Sequence, residues 1–207
     1  MMKRLYSPTH CIAFFSMLCI TSQISPILAT QRPTTITPTY TDFLKTSCKA
    51  TLYPELCYNS LSTYTNVIQT SPEKLANAAL SVTLTTTRTT TDMISRMSNG
   101  PGIRPSEAGA LRDCLEELND AIYELQESIM EMFHIKGSKK LGLKINNIQT
   151  WVSAALTDED TCMDGSSGGE AMDGKLKSVV RGRIVNICHL TSNSLALIND
   201  YASSMLN

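Results

Sequence analysis

The residues of this 207-residue chain whose types could do chemistry are three histidines, a short run of carboxylates and seven cysteines. An enzyme needs a nucleophile, a base and an orienting group within reach of one another. The histidines do not supply such a set. His10 falls in an N-terminal leader, His134 sits at a helix end where its charge has a structural use, and His189 reads as lying on a polar side of the last helix. The run Asp158, Glu159, Asp160 and Asp164 invites a calcium-loop reading but fails on spacing. Counted from Asp158, the fifth position is Cys162, the obligatory glycine position is Met163, and the closing glutamate position is Gly169. The run therefore reads as a helix end, or a capped loop, with its carboxylates in water. Ser166 to Glu170 (SSGGE) lacks the lysine of a phosphate-binding loop and follows no strand. There is no Cys-x-x-Cys pair, and beyond the leader the only histidine beside a cysteine is His189, next to Cys188, so no metal site is expected. No cofactor is implied.

The compartment follows from the N-terminus. Lys3 and Arg4 precede the uncharged apolar run 11–20, and Ile27-Leu28-Ala29 offers a cleavage point. This is the layout of a secretory signal peptide over 1–29. An apolar run of about 10 residues is too short for a bilayer span of about 20. Cleavage removes Cys11 and Cys19 and leaves Cys48, Cys57, Cys114, Cys162 and Cys188. In a secreted chain these read as a disulfide framework with one thiol left over; five cysteines allow about fifteen two-bridge patterns, and the residues alone do not choose among them. Cleavage also removes two of 18 basic residues and none of 19 acidic ones, so the charge moves from −1 to −3. A nucleic-acid footprint would be strongly basic. No Asn-x-Ser/Thr sequon occurs, no further apolar run is long enough to span a membrane, and no lipidation signal ends the chain.

The elements that hold these residues read as helices. Residues 30–39, rich in Thr and Pro, read as a flexible lead-in, and the domain as 40–205. Phe43, Leu44, Leu52, Leu56 and Leu61 suggest two short helices broken at Tyr53-Pro54, with Cys48 and Cys57 on either side of the break. A bridge there would staple a helical hairpin. Ser71, Pro72 and Glu73 cap and start a helix running to about Ser98, with Leu75, Ala79, Val82, Thr86, Met93 and Met97 as its apolar face. The threonine run 83–91 opposes that reading locally, since threonine favours strands. The clearest signal is Glu107 to Phe133, capped by Ser106. Its Leu111, Leu115, Leu118, Ile122, Leu125, Ile129 and Met132 alternate spacings of four and three, the stripe of a bundle helix. A shorter helix is expected from about Leu143 to Leu156, then a loop over 157–174, then a last helix from about Lys175 to Met205. With no hairpin-turn signal and no strand–helix alternation, the fold class is all-α.

On the helix of Cys114, the carboxylates Glu116, Asp120 and Glu124 recur every four residues on one face. Taken alone, that is an ordinary solvated face. The wording around it is more specific. Ala110 to Leu125 (ALRDCLEELNDAIYEL), Gln149 to Gly165 (QTWVSAALTDEDTCMDG) and Ser192 to Asn199 (SNSLALIN), with the cysteine layout, resemble the plant invertase and pectin methylesterase inhibitors over residues 40 to 205.

That resemblance implies a four-helix up-and-down bundle preceded by an N-terminal helical hairpin. It implies bridges Cys48–Cys57 and Cys114–Cys162, with Cys188 free; beside Ile187 on an apolar helix face, that thiol reads as a small buried hydrophobe. It implies a non-catalytic protein of the cell wall or apoplast that sterically caps the pectin-binding cleft of a pectin methylesterase. Glu116 and Asp120 match the family's enzyme-facing acidic pattern, Glu124 extends it, and Thr161 matches a position implicated in complex formation. Tyr123 stands where the family often has Asp, Leu118 where it often has Tyr, and Ser166 where Phe is usual. The alternative target is acid invertase. Its inhibitors often carry a Pro-Lys-Phe tripeptide, which this chain lacks. The bundle also resembles the pro-region of some pectin methylesterases; an ending at Asn207 without a catalytic domain favours a free-standing inhibitor. Neither nucleic acid nor membrane is expected as a partner.

Overall fold

The computed structural model describes residues 39–167, 172 and 174–206. The expected signal peptide, nearly all of the lead-in and most of the Ser166 to Glu170 segment lie outside the described residues. The described chain is all-α: α1 (Tyr40–Lys49), α2 (Pro54–Leu61), a 3-10 turn (Ser62–Tyr64), α3 (Thr65–Ile68), α4 (Pro72–Ser98), α5 (Pro105–Phe133), α6 (Leu141–Ser167) and α7 (Gly174–Leu206). Proline opens α2, α4 and α5, where its missing N–H has no helical partner to lose. Thr39, assigned above to the lead-in, is the N-cap of α1 and forms a capping box with Asp42.

Helices α4 to α7 form a four-helix bundle in which α4 packs on α5 and α7, and α6 packs on the same two. Neighbours run antiparallel. Lys136 at the end of α5 pairs with Glu73 at the start of α4 (3.2 Å), Lys144 at the start of α6 pairs with Glu131 late in α5 (3.0 Å), and Gln149 of α6 bonds Asn199 of α7 (2.8 Å). The core is two apolar clusters. One gathers Leu80, Leu125, Met132, Ile148, Val152 and Ile198; the other gathers Ile94, Leu111, Leu118, Val180, Ile184 and Ile187. Leu111, Leu118, Leu125 and Met132, seven residues apart, are the buried spine of α5, while Leu115, Ile122 and Ile129 are partly covered.

The hairpin of α1 and α2 is closed by the Cys48–Cys57 disulfide and rests on α4 and α7 through Leu44, Leu61, Ile68, Leu75, Ala79 and Leu197. Its turn is clamped by one side chain. The Tyr53 N–H donates to Asn193 Oδ1 (3.0 Å), and Asn193 Nδ2 donates back to the Tyr53 carbonyl (2.9 Å). The second disulfide joins Cys114 of α5 to Cys162 of α6 across a sequence separation of 48. Cys188 is a free, half-buried thiol, and burial pushes it up to about 12, far from thiolate chemistry.

Four expectations are corrected here. First, α6 does not end at Leu156; it runs to Ser167 and takes up residues assigned to a loop. The buried stripe Ile148, Val152, Ala155 continues at helical spacing through Glu159 and Cys162, so packing carries the helix onward. Second, the acidic run is not all in water. Glu159 is 0 % exposed and accepts hydrogen bonds from Thr191 Oγ1 (2.9 Å) and Thr87 Oγ1 (3.4 Å). Third, the inner face of α4 is rotated from the expected one: Thr83, Thr87, Thr90 and Thr91 are buried, whereas Val82, Thr86, Met93 and Met97 are only partly so. Fourth, α5 begins before Ser106. Its N-cap is Arg104, whose N–H donates to Glu107 Oε2 (2.9 Å) and whose guanidinium pairs with Glu107 Oε1 (2.8 Å).

Together Thr83, Thr87, Glu159, Thr191 and Ser194 make a polar layer between the two apolar clusters, including a Thr83–Ser194 hydroxyl bond of 2.9 Å. Glu159 Oε2 is buried with no partner. Burial is the largest influence on this carboxyl and pushes it up to about 8, against the two hydroxyl bonds that favour its charge. Glu159 is therefore uncharged in mildly acidic solution.

Candidate functional site

The outer surface of α5 and its seam with α6 carry most of the residues singled out above. Glu116 and Asp120 are exposed, Glu124 is half-buried, and all three follow Cys114 down one side of the helix. The disulfide to Cys162 sets α6 beside Glu117 and Glu124, at the edge of this face. A groove of about 390 Å³ runs between the two helices next to that bridge, with Asp113 and Glu117 on one wall and Thr161 on the other. Gly109 and Gly165 leave the groove open, since no side chain rises from either. Thr161 is exposed and donates its hydroxyl proton to the Thr157 carbonyl (2.8 Å), which leaves the oxygen's lone pairs facing outward as acceptors.

Charge concentrates here. Burial first, then the neighbouring Asp158, Asp120 and Glu116, raise the Glu117 carboxyl above its ordinary value. Glu124 meets Asp158 of α6 directly. Glu124 Oε2 lies buried with no N–H or O–H donor unless one of the two carboxyls holds a proton. With Glu124 protonated, the two share a hydrogen bond. Burial, then the Asp158 charge and that bond, lift Glu124 to about 7. Asp158 is also raised, by burial first, with the Glu124 bond acting against it.

The structure thus brings Glu116, Asp120 and Glu124 into one acidic face. It adds Glu117 and Asp158 to them, and puts Glu117 rather than Glu116 in the groove with Thr161. Glu117 stood beside Glu116 in the sequence, and seven residues before Glu124, which is the signal that would have found it. Asp158 had no such signal, because the helix carrying it was expected to stop two residues earlier. An apolar ridge adjoins the acid. Tyr123 and Met130 follow Glu116 at successive intervals of seven on the exposed face of α5, and Phe133 is 74 % exposed at its end.

The two described histidines, His134 and His189, lie elsewhere. His134 Nδ1 contacts the Met130 carbonyl (2.7 Å) at the end of α5. His189 is not on an open polar side of α7: its ring stacks on that of Tyr53, with centroids 3.6 Å apart, because the hairpin turn is folded against it.

The model of the plant invertase/pectin methylesterase inhibitor family matches residues 42–197. The chain belongs to that family. Among curated relatives, it is 45 % identical to pectinesterase inhibitor 10 of Arabidopsis thaliana over 80 % of this chain and 53 % of that one. It is 44 % identical to the 21 kDa protein of Daucus carota over 78 % of this chain and 84 % of that one, and 45 % identical to pectinesterase inhibitor 11 of Arabidopsis thaliana over 78 % and 81 %. It therefore spans about half the length of the first of these relatives and over four fifths of the other two. Among solved structures, a mutant form of a pectin methylesterase inhibitor from Arabidopsis superposes with a TM-score of 0.61 at 26 % identity, over 75 % of this chain and 95 % of that one. The family is one of enzyme inhibitors rather than catalysts.

Proposed function

We propose that this protein is secreted to the cell wall, where it inhibits a pectin methylesterase. It does so by laying the α5–α6 face across the enzyme's pectin-binding cleft and excluding the polymer. The observation that carries the reading is the acidic face of α5 and α6, in a chain whose relatives are named pectinesterase inhibitors. The face is held by a disulfide and by two long packed helices, so little freedom is lost on docking. Its carboxylates suit a basic rim on the enzyme, and Tyr123 and Met130 supply the aromatic and sulfur-bearing area that protein interfaces favour. Glu116, Asp120, Glu124 and Thr161 are the contact residues in this reading.

The test is residual activity. Purified protein is mixed at mildly acidic pH with a plant pectin methylesterase and, separately, with an acid invertase. Loss of esterase activity alone is the expected result. Loss of invertase activity alone would overturn the choice of target. Loss of neither activity, across several isoforms, would overturn the inhibitory reading itself.

A further inference from the structure

On the other side of α6 lies a cleft that this function does not use. Its centre is the Tyr53–His189 stack, with ring planes 17° apart. Asn193 grips the Tyr53 backbone on both its N–H and its carbonyl, so the stack is a fixed platform. Two cavities adjoin it, of about 480 and 470 Å³, and Leu52, Tyr53 and His189 line both. Each is the size of a small-molecule site. Leu52, at the rim, is 70 % exposed although it is apolar and lies beside a clamped turn.

The polar lining has one sign. Asp160 stands in one lobe and Glu55 in the other, and among the described residues no Lys or Arg lines either. Burial lowers the pKa of His189, which keeps its ring neutral further into acid than usual. The centre is thus an aromatic and aliphatic surface with a carboxylate in each lobe. Such a centre attracts cations through the ring face and methylenes through their apolar area.

We propose that this cleft binds a linear aliphatic diamine or polyamine, with an ammonium group near Asp160, another near Glu55, and the methylene chain along Leu52 and the Tyr53–His189 stack. An anion would meet two carboxylates. A neutral apolar ligand would leave both carboxylates without a counter-charge. A single lysine or arginine from a protein partner would bring one charge to one lobe and leave the second lobe empty.

His189 lines both lobes and is a built-in reporter. The experiment titrates cadaverine and spermidine into the protein by calorimetry and follows the NMR resonances of the His189 ring. Pentylamine and pentane-1,5-diol are the controls. Binding of both polyvalent amines at millimolar concentration or below is expected, with saturable shifts of the His189 ring resonances, at least about tenfold tighter than the controls and weakened by salt. Asp160→Asn and Glu55→Gln should each weaken cadaverine about tenfold, and both positions are exposed, so folding is retained and is checked by thermal melting. The proposal is overturned if neither amine binds, or if binding leaves the His189 ring resonances unmoved. It is equally overturned if the diol matches the diamine, or if the double variant binds as the parent does. Shifts of the His189 ring resonances by a lysine-containing peptide but not by diamines would overturn it in favour of a protein side-chain socket. None of these readouts depends on inhibition of any enzyme, so this proposal and the preceding one fail independently.

Discussion

Glu159 shows how one side chain ties the fold to acidity. Its carboxyl is raised to about 8 in the folded chain, against an ordinary glutamate value near 4.5. A raised folded value means that the group's contribution is fully present below the unfolded pKa and is lost as pH climbs through the folded one. Stability should therefore fall between about pH 4.5 and pH 8, by on the order of 5 kcal/mol from this group at most. Glu159→Gln removes the titration. We expect its melting temperature to match the parent near pH 4.5 and exceed it at pH 8; a parent-like pH slope in the variant would refute this. Asn193 is a second single-residue lever. Asn193→Ala strips the Tyr53 N–H and carbonyl of both side-chain bonds. A loss of about 1–3 kcal/mol is expected, together with faster hydrogen exchange at the Tyr53 amide.

At the scale of elements, the two disulfides should differ in worth. In the loop-entropy model a separation of 9 contributes about 2.7 kcal/mol and one of 48 about 4 kcal/mol. The longer bridge also sets α6 against α5 beside the groove. Cys114→Ser should lower the melting temperature more than Cys57→Ser, by differential scanning calorimetry; the reverse order would contradict the entropic account. Helix α5 was legible because Leu111, Leu118, Leu125 and Met132 recur at seven and so fall on one buried face. Helix α4 was legible in extent but not in phase. Thr91 donates its hydroxyl to the Thr87 carbonyl one turn back (2.9 Å), and Thr87 shares its one proton between the Thr83 carbonyl (3.0 Å) and Glu159 (3.4 Å), so residues that look polar are satisfied and can face the core. Helix α6 was read too short for a related reason: Glu159 sits at a core position of its stripe, and a glutamate there looks like an ending until Thr87 and Thr191 are seen to receive it.

For the whole molecule, function and stability should separate. Glu116 and Asp120 are exposed and outside the core, so Glu116→Gln and Asp120→Asn should change stability by no more than about 0.5 kcal/mol. On the proposed reading the pair weakens esterase inhibition at least tenfold, measured as the inhibitor concentration that halves activity. Unchanged inhibition would move the contact elsewhere on the bundle.

Some properties of this protein follow from local order in the chain alone. Cap residues, prolines at helix starts and the spacing of large apolar side chains act within one or two turns, so the all-α class, the hairpin and the long α5 could be read directly. So could Glu116, Asp120 and Glu124 as one face, because a four-residue interval is nearly a helical turn. Tertiary structure decided what depends on groups far apart in sequence. It set Asp158 against Glu124, opened the groove between Asp113 and Thr161, buried Glu159 between Thr87 and Thr191, and laid Tyr53 on His189. Each of these is a meeting of two or three helices. The physical reason is that burial and pairing, not residue type, determine whether a carboxyl is a solvated charge, a shared proton or a neutral member of the core.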